Sequence, residues 1–219
     1  MAGAPLVLIK PVAHQSHNFF TTLKIEIFKN KKMKKYLLPS LKLTLVLIVI
    51  CSVIYPLFIA AIAKLAPGGG KGETVSVNGK VVGYANIGQK FTNDKYFWSR
   101  PSAVDYNAAG SAGSNKGPSN PDYLKQVQDR LDTFLVHNPG VKKEEVPSEL
   151  VTASGSGLDP DLSPEGAFVQ VARVAKIRNI SSEKVTALVN QQIQNPLLGM
   201  LGPKKVNVLK LNIELDKIK

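Results

Sequence analysis

The most strongly apolar part of the chain is LTLVLIVICSVIYPLFIAAIA, residues 43–63, which contains no charged residue and has a lysine at each end. A helix of this length measures about 31 Å at 1.5 Å per residue, close to the hydrocarbon thickness of a bilayer. Pro56 is tolerated in a membrane helix because neighbouring groups can satisfy the carbonyl that it frees. A buried core helix, the alternative, would normally show a polar face. The pattern therefore predicts one transmembrane helix in contact with membrane lipid.

The lysines around this segment predict its orientation. Six of them precede it between residues 29 and 42, whereas only Lys64 and Lys71 follow it within a similar distance. Because positive charge collects on the cytoplasmic side, we expect the N-terminus in the cytoplasm and residues 64–219 outside. The A-x-A pattern that ends at Ala63 is typical of signal-peptidase cleavage, but the apolar run exceeds the roughly 7–15 residues of a signal peptide. An uncleaved anchor is therefore favoured over release by cleavage.

Residues 1–32 show little amphipathic order, whereas Met33-Lys34-Lys35 followed by the apolar run resembles a natural beginning. We expect residues 1–32 to be a misassigned or disordered extension and residues 33–42 to be a basic flank in the cytoplasm. After the helix, the glycine-rich residues 64–73 are typical of a flexible spacer.

Residues 74–219 carry mixed patterns that predict an α+β domain. Asn78-Gly79 between two β-prone runs indicates a hairpin. The segment Tyr96–Pro101 contains the only tryptophan, which we expect to pack against the sheet, with Arg100 turned outward. Alternation of leucine and isoleucine with polar residues in KVNVLKLNIELD predicts a half-buried terminal strand.

Cap residues predict about three helices in this domain. Asn120 or Ser119 followed by Pro121 starts the first, which ends near Asn138-Pro139-Gly140. Ser163-Pro164-Glu165 starts the second, on which Phe168, Val171, Ala172 and Ala175 form the apolar face and Arg173 is expected to face solvent or a partner. Ser181 caps the third.

The charge distribution argues against nucleic acid as a partner. The net charge is +12, but residues 1–63 hold eight basic residues and one acidic residue, whereas the remaining 156 hold twenty basic and fifteen acidic. The basicity therefore belongs mostly to the N-terminal region, and no arginine cluster interleaved with aromatics follows it. The single cysteine excludes an intrachain disulfide and a CxxC metal site.

The outer domain shows no complete catalytic motif. Lys71 is followed by Gly72, so GGGKGET is not a Walker A loop, and no G-x-S-x-G motif occurs. Asp159 and Asp161 flank a proline and could bind a cation, but a helix-entry turn with capping acids is the favoured interpretation. From the residues alone we predict no catalytic residue and no metal site. A serine hydrolase or a chaperone module, anchored or released, is the alternative.

Small residues fill the segment 107–121, and a capped helix follows it directly. An ordered loop is therefore favoured over a slack linker, since glycine and serine allow close approach of a partner. The candidate partner contacts are Arg100, Asn107, Gly113, Ser114, Asn115, Gly117, Ser119, Asn120, Ser154, Gly157, Asp159 and Arg173. The candidate interface positions of the membrane helix are Ser52, Tyr55 and Pro56.

Three strings resemble the C subunit of the bacterial Kdp potassium-transporting ATPase: YFWSRPSAVDYNAAGSAGSNKGPSNP, ELVTASGSGLDPDLSPEGAFVQVARVAKIRN and VNVLKLNIELD. They follow one membrane helix in the right order, and the resemblance covers essentially Met33–Lys217. This family frequently has a histidine where Asp161 stands and an apolar residue at Lys116, so the resemblance supports no role at those two positions.

The resemblance implies a non-catalytic subunit of a high-affinity, ATP-driven potassium importer in the bacterial cytoplasmic membrane. Its expected partners are an ATPase subunit, a potassium-channel-like subunit and a small single-span subunit. ATP and potassium are handled by these partners, and no cofactor is expected on this chain. The C subunit of the family stabilises the assembly and acts as a catalytic chaperone that raises the ATP affinity of the ATPase subunit. Because ATP is cytoplasmic and residues 64–219 are expected outside, we expect that effect to be transmitted through the complex.

Overall fold

The structure, a computed structural model, describes residues 31–218, with side chains from Lys35 onward. These residues fall into two compact units, one ending at Ala66 and one beginning at Pro67. The prediction for residues 1–32 lies outside the described residues except for Lys31 and Lys32, which begin the first helix.

The first unit is a long helix with one irregular turn. Helix α1 spans Lys31–Val49, a π-helical turn spans Ile50–Ile54, and helix α2 spans Tyr55–Ala63. The π turn ends two residues before Pro56, which has no N–H to donate to the preceding turn, so the wider turn accommodates the missing bond. The residues from Lys35 to Ile62 are all exposed. The stretch Lys35–Ala63 is long and apolar enough to cross a membrane.

The second unit begins with the predicted hairpin, which is confirmed. Strand β1 (Thr74–Val77) pairs antiparallel with strand β2 (Lys80–Tyr84). Asn78 and Gly79 connect them with φ values of 51° and 75°, the left-handed pair that a two-residue hairpin turn requires.

Helix α3, the first predicted helix of the domain, spans Pro121–His137. The side chain of Asn120 caps it by accepting a hydrogen bond from the Tyr123 N–H at 3.1 Å. Leu131 and Phe134 are its buried residues and form the face that packs against the core. The existence, start and end of this helix were all predictable from local signals, because a cap, a first-turn proline and an N-P-G stop lie within the sequence itself.

The second predicted helix is two helices in the structure. Helix α4 spans Pro164–Phe168 and helix α5 spans Val171–Arg178. Gln170 lies at the break, and its buried side chain bonds with backbone groups of Trp98 rather than facing solvent. On α5 the predicted exposure is wrong at two positions, because Arg173 is buried and Ala172 is exposed.

Helix α6 spans Ser182–Gln192 and is capped by Ser181, as predicted. A three-stranded sheet follows, with the short strands β3 (Asp161–Leu162), β4 (Ile193–Gln194) and β5 (Lys205–Asn207) in the order β3-β5-β4, all antiparallel.

The predicted terminal strand is wrong beyond Asn207. Residues Val208–Lys217 form helix α7, and the Asn207 side chain caps it by accepting from the Lys210 N–H at 3.0 Å. The buried positions of α7 are Val208, Leu209, Leu211, Asn212 and Leu215. Four of them have the spacing i, i+3, i+4, i+7 of a helix face. The polar residue Asn212 completes this face, so the apolar residues alone resembled the alternation of a strand.

One hydrophobic core joins the helices and the three-stranded sheet. Its fully buried members include Phe97, Val174, Val185, Val189, Val206, Leu211 and Leu215. The described part of the domain, up to Ile218, is therefore α+β, with five α-helices rather than about three and with two small sheets.

Candidate functional site

Two segments of small residues lie side by side on the domain, and we call residues 102–113 and 154–157 the paired loops. The first is folded by its own side chains. The Ser102 hydroxyl accepts hydrogen bonds from the N–H groups of Val104 (3.2 Å) and Tyr106 (2.9 Å). The Asn107 side chain accepts one from the Ala109 N–H at 3.0 Å. Serine and asparagine commonly organise turns in this way.

Direct contacts join the paired loops. The Ser111 hydroxyl donates to the Ser156 carbonyl at 2.9 Å. The Ser154 N–H donates at 3.1 Å to the carbonyl of Pro101, the residue directly before the first loop. A Cβ atom on Gly113 would stand 3.0 Å from the Gly155 oxygen. The first part of the loop, up to Gly113, is therefore an ordered segment and not a slack linker.

Gly157 has the tightest surroundings of the paired loops. Its φ of +69° is in the left-handed region, and a Cβ atom there would lie 2.6 Å from the Val104 side chain and 2.8 Å from the Ala112 oxygen. Real Cβ atoms do not approach other atoms so closely. The close approach of the two loops thus requires glycine at this position.

The predicted partner contacts differ in how far they reach the surface. Asn107, Asn115, Gly117 and Ser119 are exposed, as are Ser52, Tyr55 and Pro56 on the first unit. Arg100, Gly113, Ser114, Asn120 and Asp159 are half-buried. The remaining three are buried and therefore lie beneath the surface that a partner could contact: Ser154, Gly157 and Arg173. The role of all of these residues in partner contact stays a prediction.

Arg100 and Asp159 form an ion pair beside the paired loops. The two side chains meet at 2.9 Å and are 24% and 30% exposed. Arg100 is thus less outward than predicted. The second oxygen of Asp159 accepts from the Asp161 N–H at 3.0 Å, while Asp161 pairs with Lys205 at 2.6 Å. Each acid is therefore neutralised by a basic neighbour, which favours the helix-entry interpretation of these acids over a cation site. In the described part of the chain no three His, Cys, Asp or Glu residues gather as metal ligands.

Arg173 organises the polar centre of the domain. Its guanidinium donates to Asn138 (2.9 Å), to Gln170 (2.7 Å) and to the carbonyl of Tyr96 (3.0 Å). A further donation goes to the carbonyl of Asp94. Burial lowers the pKa of Arg173 to about 10, against the opposing charge of Asp94. These bonds hold the segment 94–98 against helices α3 and α5.

The aromatic residues of this segment divide between the core and Arg173. Phe97 is fully buried, and its backbone N–H and carbonyl bond with the Asn212 side chain at 2.9 and 3.0 Å. The Trp98 ring lies 5.0 Å from the Arg173 guanidinium and 4.8 Å from the His137 ring. The tryptophan therefore packs against α3 and α5 and not against the hairpin sheet as predicted.

The pair of side chains that most resembles part of a catalytic site is His137 and Asp94, in which the His137 Nδ1 atom lies 2.8 Å from an Asp94 carboxylate oxygen. A serine hydrolase would need a hydroxyl on the other side of the imidazole, and no hydroxyl of the described residues hydrogen-bonds with His137. Ser163 donates to Glu149 at 2.6 Å and accepts from the Gly166 N–H, as a helix cap does. The geometry gives the hydrolase alternative no support.

Sequence analysis missed three polar residues of this centre, Asp94, Gln170 and Asn212. The first two contact groups more than forty residues away in the chain, so no local pattern indicates their role. Asn212 did leave a signal, because it falls four residues after Val208 on the buried face of α7.

Tyr106 offers a test of the paired loops through pH. Its hydroxyl donates to the carbonyl of Arg100, and burial raises the pKa of Tyr106 to about 12. An unfolded tyrosine loses its proton near pH 10. The folded state therefore binds more protons than the unfolded state between about pH 10 and 12, so stability falls as the pH rises through this range. Tyr106→Phe lacks this dependence.

We expect the free energy of unfolding of the wild type, minus that of Tyr106→Phe, to decrease between about pH 9 and about pH 11.5. Urea unfolding of both proteins at the two pH values measures it. A difference that stays constant would show that Tyr106 titrates as an exposed phenol.

Comparison with known proteins shows which family this chain resembles. Residues 37–217 match the family described as K+-transporting ATPase, c chain (KdpC). The chain is 60% identical over 185 residues to the potassium-transporting ATPase KdpC subunit of Flavobacterium psychrophilum, covering 84% of this chain and 100% of the relative. It is 54% identical over 188 residues to the same subunit of Bacteroides fragilis, covering 84% and 98%. A KdpC subunit of Caldanaerobacter subterraneus is 46% identical over 177 residues, covering 80% and 92%.

Proposed function

The chain belongs to the KdpC family, the c chain of the K+-transporting ATPase, and on this premise we propose that it is a non-catalytic subunit of a high-affinity potassium import complex. It stabilises the assembly and supports ATP binding by the ATPase subunit. Its partners are that subunit, the potassium-channel-like subunit and a small single-span subunit. These partners handle ATP and potassium.

One observation carries the proposal most directly, the exposed apolar helix of the first unit. Side chains from Leu43 to Ile62 present no charge and are exposed along the helix. Such a surface needs lipid or another membrane helix to cover it. We place the helix in the bacterial cytoplasmic membrane, with the lysine-rich end in the cytoplasm and residues 64–219 outside, because positive charge is retained on the cytoplasmic side.

This orientation decides how the chain acts on ATP. The outer domain has no phosphate-binding loop of the Walker type in its sequence, and on the outer side it would not meet cytoplasmic nucleotide. The effect on ATP affinity is therefore transmitted through the ATPase subunit. The outer domain sits over the entrance of the channel-like subunit, and the membrane helix packs against that subunit through Ser52, Tyr55 and Pro56.

The first test is copurification. The chain, tagged at its C-terminus, is extracted in mild detergent from membranes of potassium-starved cells. We expect a P-type ATPase chain and a large polytopic chain to copurify, together with potassium-stimulated ATP hydrolysis. Recovery of the chain alone, or of a soluble form shortened past Ala63, would overturn the proposal. An ATP photoprobe separates direct from transmitted action, since saturable labelling of this chain alone at low micromolar probe would contradict transmission.

Gly117 gives a sharper test of whether the segment 107–121 contacts a partner. It is exposed, and no atom lies within 4 Å of a Cβ placed on it. Gly117→Val should therefore leave the domain folded, while its branched side chain keeps a partner from approaching the backbone. We expect at least a threefold loss of copurifying partner chains, measured against the tagged chain by quantitative mass spectrometry.

Gly140→Val is the matched control, because Gly140 is also exposed and free of neighbours but lies outside the loop. Gly113→Val is a poorer probe, since its Cβ would meet Gly155 within the domain itself. Equal recovery of partners with Gly117→Val and Gly140→Val would mean that the loop only connects two parts of the domain.

A further inference from the structure

A short turn between β4 and β5 exposes large apolar side chains. Leu197, Leu198, Met200 and Leu201 are 69%, 80%, 78% and 57% exposed. Single exposed leucines are common on protein surfaces, but four large apolar residues within five positions form a contiguous patch that ordinarily marks an interaction site. We call residues 196–203 the apolar turn.

Several backbone groups of the apolar turn are paired within the turn itself. The N–H of Leu197 donates to the carbonyl of Leu201 at 3.1 Å, and the N–H of Leu201 donates to the carbonyl of Leu197 at 2.9 Å. The N–H of Gly199 donates to the carbonyl of Pro196 at 2.9 Å. A segment that enters lipid must pair its backbone groups internally, since hydrocarbon offers them no partner. The N–H of Met200 also donates to the carbonyl of Leu197, at 3.3 Å, so four of the six N–H groups of the turn are paired before any partner binds.

Charge is absent from the tip and returns at its base. No Asp, Glu, Lys or Arg occurs between Lys184 and Lys204. Lys204 and Lys205 then follow directly, and Lys204 is exposed while Lys205 pairs with Asp161. An apolar tip with lysine beside it is typical of interfacial membrane anchors, in which the apolar side chains enter the acyl boundary and the lysine meets anionic headgroups.

The short linker limits how far the domain can lie from the bilayer in which we propose the helix to be embedded. Ten residues, Lys64–Glu73, join the apolar helix to the hairpin. They span at most about 35 Å when fully extended. A weak apolar contact with the surface is therefore reinforced by the high local concentration that the tether provides.

We propose that the apolar turn inserts into the headgroup–acyl boundary of the membrane that holds the helix, with Lys204 at anionic headgroups. This second contact goes beyond the subunit role. It would limit the rotation of the outer domain about its tether. The alternative is that an apolar surface of another protein chain covers the turn. The position of Lys204 beside the apolar side chains does not favour that alternative, and the test below distinguishes the two.

The test places a fluorophore on the turn. Cys51 is the only cysteine, so Cys51→Ala with Leu198→Cys accepts a single bimane label. The full chain, with whatever partners copurify, is reconstituted in vesicles of phosphatidylethanolamine and phosphatidylglycerol. We expect a lipid carrying a nitroxide on its upper acyl chain to quench this label at least threefold more than a label at Lys125→Cys, an exposed position on α3. Aqueous iodide should show the opposite preference.

Each result decides the question. Strong quenching by the lipid supports insertion, and Leu197→Ser with Met200→Ser should then reduce it. Strong quenching by iodide would show a turn in water, and protection from both quenchers would show a turn covered by protein. Either of these two results overturns the proposal. Insertion in the absence of copurifying partners would leave the inference standing while the subunit proposal fails.

Discussion

Replacing Arg173 by alanine is expected to lower the free energy of unfolding by about 3–5 kcal/mol, the range for removing one member of a buried charged network. The guanidinium joins Asn138, Gln170 and the backbone of the segment 94–98. Its loss removes the guanidinium donor from the Asn138 side chain and from the carbonyl of Tyr96, whereas Gln170 still accepts from the Trp98 N–H. Each group left unpaired costs about 1–3 kcal/mol. The midpoint of thermal unfolding should fall by roughly 10 °C, on the scale for a domain of this size.

Lys176→Ala is the matched control, because Lys176 lies one turn further along α5 and is exposed. Arg173→Lys should fall between the two, since it retains the charge but loses the forked donors that reach several acceptors at once. Thermal unfolding of all three variants in the same detergent measures the difference. Equal midpoints for Arg173→Ala and Lys176→Ala would contradict the role of the network, and with it the explanation for the burial of Arg173.

Arg173 also illustrates what the sequence could not predict. On a helix its charge argued for solvent, and local spacing offered no reason to bury it. Its partners Asp94 and Tyr96 lie 79 and 77 residues earlier in the chain. Only the tertiary fold brings them to the guanidinium, and burial of arginine is favourable only when such partners exist.

Local signals were reliable where the physics is local. The hairpin turn at Asn78-Gly79 and the helix caps at Asn120, Ser163 and Ser181 all form as predicted, because each depends on residues within four positions of the turn or cap. The apolar helix was equally predictable, since composition and length alone define a candidate span.

The prediction of a strand where helix α7 forms was wrong because the sequence pattern is ambiguous. Between residues 209 and 215 the apolar side chains alternate with polar ones, which is the period of a strand. The helix buries Asn212 among its apolar residues, because that side chain bonds with both backbone groups of Phe97. A pattern read from apolar residues alone leaves Asn212 out. Asn207, whose side chain caps the helix, was included in the predicted strand.

The candidate surface was predictable in composition but not in detail. Small residues indicated an ordered loop, yet the sequence could not distinguish the glycines that the fold needs from those that stand free. The structure makes this distinction for Gly155 and Gly157, which are two residues apart in the same turn.

Gly157→Ala should therefore be damaging although it adds one methyl group. A left-handed φ of +69° disfavours alanine by about 1–2 kcal/mol. The new Cβ would also overlap the Val104 side chain and the Ala112 oxygen, so the paired loops must separate. With overpacking included, the expected loss is about 2–4 kcal/mol of unfolding free energy. Separation should expose the first loop to proteases, which cleave segments that open locally.

Gly155→Ala is the control within the same turn, since a Cβ placed there meets nothing within 4 Å and its φ is not left-handed. Limited proteolysis with elastase, which cleaves after small residues, reports on the loop, and thermal unfolding reports on the domain. We expect cleavage within residues 107–114 to become at least fivefold faster in Gly157→Ala and to stay unchanged in Gly155→Ala. Equal cleavage of the two variants would mean that the contact between the loops does not hold the first loop in place, and the surface offered to a partner would then have to form on binding.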